Sequence, residues 1–341
     1  MKMVSVQEAV GSILCHDLTQ IIPGRCKGPA FKKGHILQQE DISKLLDMGK
    51  EHVFVWEIRS GLLHEDSAAE RMARAAIGRG VKLSGPKEGK MDFVAEMDGL
   101  LKVNAEALYE INELEEAVMV TLHSNQRVKE GTVVGGTRII PLVIDEEKIE
   151  RIETLCRANA PIIEVKRING LRAGIVTTGS EVYKGRIKDM FGPVVTRKLE
   201  ESGCRVMGQI LAPDNVEHIV GAIHQFLAGG AELICVTGGM SVDPDDVTPA
   251  GIRASGGHIV TYGAPVLPGS MFLLAYIGRV PVFGLPGCVM YNETSIFDLI
   301  LPRVLAGEKV SRGDFVRLAH GGMCLFCKEC RYPHCGFGKN T

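Results

Sequence analysis

From Leu171 onward the chain alternates short, nearly continuous apolar runs with amphipathic stretches. The apolar runs read as strands over Ala173–Thr177, Arg205–Leu211, Leu233–Thr237, His258–Tyr262, Met271–Ile277 and Val280–Phe283. Between and after them, helical periodicity falls on Pro193–Ser202, Val216–Leu227, Thr248–Ala254 and Met290–Leu305. Strands without a polar face, separated by helices, predict a largely parallel sheet covered on both sides. Such a sheet places its ligands at the C-terminal ends of the strands, in the loops that enter the helices.

The first half has a different rhythm. It opens with a short amphipathic stretch, Val4 to Leu14, then a Gly/Lys-rich segment from Pro23 to His35. A helix is expected from Glu40 to Met48, with Asp41 near its start and Gly49 at its end, and a strand over His52–Trp56. A second helix, Glu65 to Ile77, carries Ala68, Ala69, Ala73, Ala75 and Ala76, small enough for close packing. Strands then follow at Asp92–Glu96, Val118–Leu122, Thr132–Val134 and Arg138–Ile144. The expected division is a small α+β module over 1–60, a mixed α/β module over 61–170, an α/β domain over 171–308 and a Cys-rich tail over 309–341. No chemistry is legible in residues 1–170.

At 341 residues the chain can bury more than one core. A formal net charge of −2 excludes a global basic field for nucleic acid or anionic membrane, and 5% aromatic residues argue against a base-stacking surface. An anionic ligand must therefore be held by local backbone N–H groups, a few cations or a metal. No leader-like apolar region stands at the N-terminus, and Val266 to Phe283 is broken by Pro268, Gly269, Gly278, Arg279 and Pro281. A cytoplasmic protein is expected, with neither nucleic-acid nor membrane partners; a homo-oligomer is compatible with the sequence.

Two loops carry candidate chemistry. Thr237-Gly238-Gly239-Met240-Ser241 leads from an apolar strand through Asp243, Asp245 and Asp246 to Thr248. Paired glycines let the backbone turn sharply and bring N–H groups against an anion. Three carboxylates beside such a cradle would repel a phosphate unless Mg²⁺ sat between them, which makes Asp243 and Asp246 candidate ligands. The plain alternative is a turn in which Asp246 or Thr248 only caps the next helix. The second loop, from Thr177-Thr178-Gly179-Ser180-Glu181 to Asp189, offers hydroxyls, a carboxylate and the cations Lys184, Arg186 and Lys188.

In order along the chain stand Thr-Thr-Gly-Ser-Glu at 177–181, Gly185-x-Ile187-x-Asp189, and Asp214-Asn215-x-Glu217. They are followed by Thr237-Gly238-Gly239-x-Ser241 with Asp246, then Pro268-Gly269, then Gly284-Leu285-Pro286-Gly287. This series resembles the molybdopterin-binding domain shared by bacterial molybdenum insertases, the gephyrin E region and related adenylyltransferases, over about Arg172 to Gly307. The resemblance implies a three-layer α/β/α domain behind a mixed α+β N-terminal region. For the insertase branch it implies transfer of molybdate into adenylylated molybdopterin with release of AMP. By position, Glu181, Asp189, Asp214 and Asp246 match pocket carboxylates, with Asp246, Glu181 and Asp214 as the catalytic candidates. Thr178, Gly179, Ser180, Asp189, Thr237, Gly238, Gly239, Ser241, Pro286 and Gly287 are the candidate cofactor-binding residues. Insertases carry lysines beside the first Pro-Gly, where this chain has Leu267 and Ser270; Phe191 and Cys288-Val289 are further departures. The insertase Ser-Ala-Met-Asp-Gly-Tyr-like signature is missing from the N-terminal half. Two other functions fit the motifs: a molybdopterin carrier without transferase activity, and a nucleotide-pyrophosphate hydrolase, since the competence-damage family has a similar Thr-Gly-Gly loop.

Ten cysteines are unevenly spread, and Cys324, Cys327, Cys330 and Cys335 crowd into the tail as C-x2-C-x2-C-x4-C. Four thiolates at that spacing can converge on one centre, and in a cytosolic chain they point to metal rather than disulfides. The pattern differs from an iron–sulfur run only in its last step, so zinc, iron and an iron–sulfur cluster are all candidate occupants. His320 and His334 are the alternative ligands nearby.

Overall fold

The computed structural model describes residues 1–22, 26–55, 61–87 and 89–339. Pro23, Gly24 and Arg25 of the Gly/Lys-rich segment and Trp56 of the expected strand lie outside these residues. The chain divides into two compact units, one of residues 1–96, 103–122 and 131–164, the other of 97–102, 123–130 and 165–341.

In the first unit, Lys2–Ser5 pairs antiparallel with His52–Val55, and Leu18–Ile22 with Cys26–Phe31. Leu14, Leu37, Leu45 and Val53 bury together there, beneath the helix Asp41–Asp47. A four-stranded antiparallel sheet follows, ordered Val81–Lys87, Lys90–Ala95, Val133–Ile139, Ala117–Thr121. The helix Glu65–Ala76 buries Ala68, Ala69, Met72, Ala73 and Ala76, the small-residue face anticipated from the sequence. One expectation fails. The separate strands at 132–134 and 138–144 are one strand, Val133–Ile139, followed by a distinct Val143–Asp145. Gly135 lies within that strand for a packing reason: a Cβ there would sit 2.5 Å from the Val120 carbonyl oxygen. Helices Ala105–Asn112 and Glu146–Ala158 were not foreseen.

The second unit is the α/β domain. Its elements are β1 (Arg172–Thr178), α1 (Ser180–Tyr183), α2 (Phe191–Glu201), β2 (Arg205–Ala212), α3 (Val216–Ala228) and β3 (Leu233–Thr237). Then come α4 (Thr248–Ala254), β4 (His258–Tyr262), β5 (Leu273–Ile277), β6 (Val280–Leu285), α5 (Cys288–Tyr291), α6 (Ile296–Leu305) and α7 (Arg312–Arg317). The six strands run in the order β2-β1-β3-β6-β5-β4. β2, β1, β3 and β6 are parallel, and β5 is antiparallel to both β6 and β4.

Period-two alternation explains the three layers. Ala173, Ile175, Leu233, Cys235 and Phe283 point to one face, where Val195, Leu199, Phe297, Ile300 and Phe315 bury. Val176, Ile234, Val236 and Val282 point to the other, against Ile219, Ile223 and Ile252. Helices α2, α6 and α7 thus cover one side and α3 and α4 the other.

The expected single helix from Met290 to Leu305 is two helices. Ser295 starts α6 with a capping box: its hydroxyl takes the Phe297 N–H, and the Asp298 carboxylate accepts the Ser295 N–H at 2.8 Å. That cap forces residues 292–295 out of helix. Among the described residues no helix is long and apolar enough to cross a membrane.

Candidate functional site

Register brings the strand ends to one edge. Thr178 stands opposite Ala212, Thr177 opposite Thr237, and Thr237 opposite Leu285, so β1, β2, β3 and β6 finish together. Their buried hydroxyls form a chain: Gln209 Nε2 donates to Thr177 Oγ1 at 2.7 Å, and Thr237 Oγ1 donates to Thr177 Oγ1 at 3.2 Å. Thr178 Oγ1 and Thr248 Oγ1 lie 3.1 Å apart. Such buried polar groups demand partners, and the pairing fixes the start of each loop.

The loop after β1 is tied to the loop after β2. The Ser180 N–H donates to Asp214 Oδ2 at 2.7 Å, and the Asp214 N–H donates to Ser180 Oγ at 3.3 Å. Asn215 then caps α3, accepting the His218 N–H at 3.0 Å. Glu181 is exposed on the single turn α1, and Lys184, Arg186 and Lys188 are exposed beyond it. Asp189 is turned to the start of α2, accepting the N–H groups of Phe191 at 2.8 Å and Gly192 at 3.0 Å, while Gln209 Nε2 donates to it at 2.6 Å. In this geometry both of its oxygens position the helix.

The loop after β3 needs its glycines. Gly238 has φ +85°, and a Cβ there would lie 2.4 Å from the Thr178 carbonyl oxygen; Gly239 has φ +55° and sits against Thr248 Oγ1. The backbones of two loops therefore touch at Gly238, which only a residue without a side chain allows. Beyond them the loop closes on itself: Asp246 Oδ2 accepts the Asp243 N–H at 3.0 Å, and the Asp246 N–H donates to the Asp243 carbonyl at 2.9 Å. Thr248 N–H, first in the seven-residue α4, donates to the Gly239 carbonyl at 3.2 Å. Tyr262 braces the loop from β4, its hydroxyl donating to the carbonyls of Met240 at 3.0 Å and Ser241 at 3.3 Å. Burial, and then the negative charge of Asp246, push the Tyr262 phenol above its ordinary range and keep it a donor. Ser241, Asp243 and Asp245 are exposed.

Pro286 is buried at the end of β6 and Gly287 is exposed at the start of α5. Pro268 and Gly269 are buried; Leu267 and Ser270, on either side, are exposed. The structure thus joins Thr178, Gly179, Ser180, Asp214, Thr237, Gly238 and Gly239 through direct contacts, and puts Ser241, Asp243 and Asp246 on one continuous loop. Sequence reasoning missed Gln209 and Tyr262, and named Thr248 only as a possible helix cap. Gln209, a polar residue inside a strand, was the only one that gave a signal. A cavity of about 660 Å³, between Leu171, Gly278–Pro281 and Gly307–Lys309, lies at the opposite end of the sheet and shares no residue with these loops.

In the tail, Cys324 and Cys335 are half-buried against the domain core, and Cys327 and Cys330 are exposed. All four are free thiols and line one cavity of about 530 Å³ with residues 291–294. Among the described residues no three His, Cys, Asp or Glu side chains converge as a metal-holding group, either in the tail or around Asp243 and Asp246.

Comparison with known proteins converges on the same segment. Residues 174–306 match the family described as "Probable molybdopterin binding domain", and residues 3–57 match a domain of unknown function. A molybdopterin molybdenumtransferase of Synechococcus elongatus is 24% identical over 143 residues, 40% of this chain and 36% of that protein. A CinA-like protein of Mycolicibacterium vanbaalenii is 41% identical over 78 residues, 23% of this chain and 18% of that one. The chain thus spans little more than a third of the longer-matching relative and under a fifth of the other. A solved molybdopterin biosynthesis protein of Pyrococcus horikosii is similar over 72% of this chain and 79% of its own, at 18% identity and a TM-score of 0.34. With the motif order, the six-stranded sheet and the family match on one stretch, residues 174–306 belong to the molybdopterin-binding domain family of molybdenum-cofactor biosynthesis.

Proposed function

We propose that this domain binds adenylylated molybdopterin across the loops that follow β1 and β3 and inserts molybdate into it with release of AMP. The observation that carries the reading is the Gly238–Thr178 contact: because Gly238 has no side chain, the backbones of two strand-end loops lie side by side. Backbone N–H groups of Gly238, Gly239 and Ser241 would take the pyrophosphate. The amino-pyrimidine edge of a pterin presents paired donors, which suit the exposed Glu181 carboxylate beside Asp214. Mg²⁺ commonly uses one or two protein carboxylates and completes its shell with water and phosphate. Asp246 and Asp243 would hold the ion, and it would neutralise the pyrophosphate. Asp189 would act through α2 and Gln209 rather than by touching the ligand.

Molybdate is an anion, and the only cations this reading can offer it from the motif loops are Lys184, Arg186 and Lys188. Leu267 and Ser270, standing where insertases have lysines, favour a second reading: a carrier that holds molybdopterin without inserting metal. A zinc, iron or iron–sulfur centre on Cys324, Cys327, Cys330 and Cys335 belongs to either reading. Cys15, Cys156, Cys204, Cys235, Cys288 and the four tail cysteines are free thiols, which fits a reducing cytoplasm.

Incubation with adenylylated molybdopterin, molybdate and Mg²⁺ separates the readings, with AMP and active cofactor as the measured products. Molybdate-dependent AMP release with active cofactor supports insertion. Binding without AMP makes the protein a carrier, and AMP release that ignores molybdate makes it a pyrophosphate hydrolase.

A further inference from the structure

The tail is stitched to the domain next to both Pro-Gly turns. Leu267 bridges Met323 in parallel register; the Leu267 N–H donates to the Gly322 carbonyl and the Cys324 N–H to the Leu267 carbonyl, each at 2.8 Å. The next two residues after Leu267 are Pro268 and Gly269. On the other side, Cys330 Sγ lies 3.3 Å from Thr294 Oγ1, in the short connection between α5 and α6 that follows Pro286-Gly287. That connection is itself pinned from α2: the buried Lys198 ammonium donates to the Glu293 carbonyl at 2.5 Å and to Asp298 Oδ1 at 2.6 Å.

The segment between these stitches is a closed loop with little of its own to hold it. The Gly338 N–H donates to the Gly321 carbonyl at 2.9 Å, joining its ends, and Phe337 is buried in the core. Between the ends, Leu325, Phe326, Cys327 and Cys330 are exposed. Phe326 holds φ +50°, in the left-handed region that favours glycine, and its N–H points to Cys324 Sγ at 3.4 Å. Cys324 and Cys335 are thus half-buried, Cys330 is exposed but touches Thr294, and Cys327 is exposed, all four lining one cavity.

We propose that the four thiolates close on a single zinc ion, and that this clasp sets the positions of the Leu267–Gly269 turn and of residues 291–294. The metal half stands on the cysteines alone; the coupling half rests on the reading that the domain binds molybdopterin. A closed four-thiolate site supplies folding energy to a segment too short for a core, and here that energy is delivered to two turns beside the pterin pocket. Closure requires the four sulfurs to draw together, because among the described residues no three of these groups converge as a metal-holding group.

The test uses the full-length protein purified anaerobically, with metal analysis, acid-labile sulfide, thiol alkylation and molybdopterin binding as readouts. The expected result is one zinc per chain, four thiols shielded until a chelator is added, and loss of the zinc in a Cys327→Ser/Cys330→Ser variant. Both positions are exposed, so the domain's cooperative unfolding is expected to persist in that variant. Chelated protein should bind molybdopterin about tenfold more weakly and recover when zinc is returned, within the range of ordinary inter-site coupling. Iron with sulfide on the same cysteines overturns the zinc assignment. Four freely alkylated thiols and no metal overturn the site altogether. Stoichiometric zinc with unchanged molybdopterin affinity overturns the coupling only, and zinc without any molybdopterin binding removes the functional reading while leaving the metal centre in place.

Discussion

The strand-end loops and the cysteine tail share a domain but are organised by opposite means. At the strand ends nearly every polar group already has a partner: Ser180 with Asp214, Thr178 with Thr248, Asp189 with the first turn of α2, and Tyr262 with the Met240 and Ser241 carbonyls. The tail is held by fewer contacts, at Cys324, Tyr332, Cys335 and Phe337 against the core and at Cys330 against Thr294, and its two middle cysteines are exposed. The first arrangement is pre-organised by the fold, so a ligand can be bound without paying to order the loop. The second leaves its ordering to whatever binds the sulfurs. Mutations that break these partnered contacts should therefore act on folding, and mutations in the tail on metal and ligand content.

The largest effect is expected at Gly238. In Gly238→Ala the new methyl would lie 2.4 Å from the Thr178 carbonyl oxygen at a φ of +85°, and one of the two loops must move. A loss of about 2 kcal/mol or more is expected from combined strain and clash, read as a lower urea midpoint with an unchanged slope. A wild-type midpoint would show that the loops are not held together by this contact, and would remove the basis for calling the cradle pre-organised.

Asp246→Asn comes next, and it separates charge from shape. The amide oxygen can still accept the Asp243 N–H, so the loop should close and stability should stay within about 0.5 kcal/mol. If the carboxylate holds Mg²⁺ against a pyrophosphate, Mg²⁺-dependent AMP release should fall at least about tenfold, a barrier increase of about 1.4 kcal/mol. Unchanged release would place the metal elsewhere and leave Asp246 as the loop's own hydrogen-bond acceptor.

These two residues also mark how far the sequence could be read. The glycine pair and the aspartates were legible because turn chemistry is local: a strand, two glycines and a helix start follow one another along the chain. The strands of the second unit were legible for the same reason, Leu233–Thr237 and His258–Tyr262 agreeing end for end. What was not legible depends on contacts remote in sequence. Tyr262 reaches the Met240 carbonyl from 22 residues away, and Gln209 reaches Asp189 from 20. Neither spacing carries a pattern. Asp189, matched by position to a pocket carboxylate, is an acceptor for helix N–H groups, a role that its sequence context shares with many aspartates. Gly135 sits inside the strand Val133–Ile139 because it packs closely against Val120 and Phe93, contacts that its sequence neighbourhood does not announce.

The smallest expected effect on folding falls at Gly287, and there it is the most informative. Unlike Gly238, this glycine has ordinary dihedrals, φ −52° and ψ −28°, and a Cβ added to it would meet nothing within 4 Å. It is exposed, so neither conformation nor packing within the protein requires glycine. Gly287→Ala should leave stability unchanged or raise it by up to about 1 kcal/mol, because alanine loses less conformational entropy on folding. If the turn closes over bound molybdopterin, however, the added methyl projects into space that the ligand needs, and affinity should fall severalfold in a protein that folds as well as the original. Calorimetric titration with molybdopterin, beside a urea melt of the same sample, gives both numbers. A stable variant with weakened binding assigns Gly287 to the ligand. A stable variant with full affinity means that the turn does not approach the ligand, and the cradle then ends at the loops after β1 and β3.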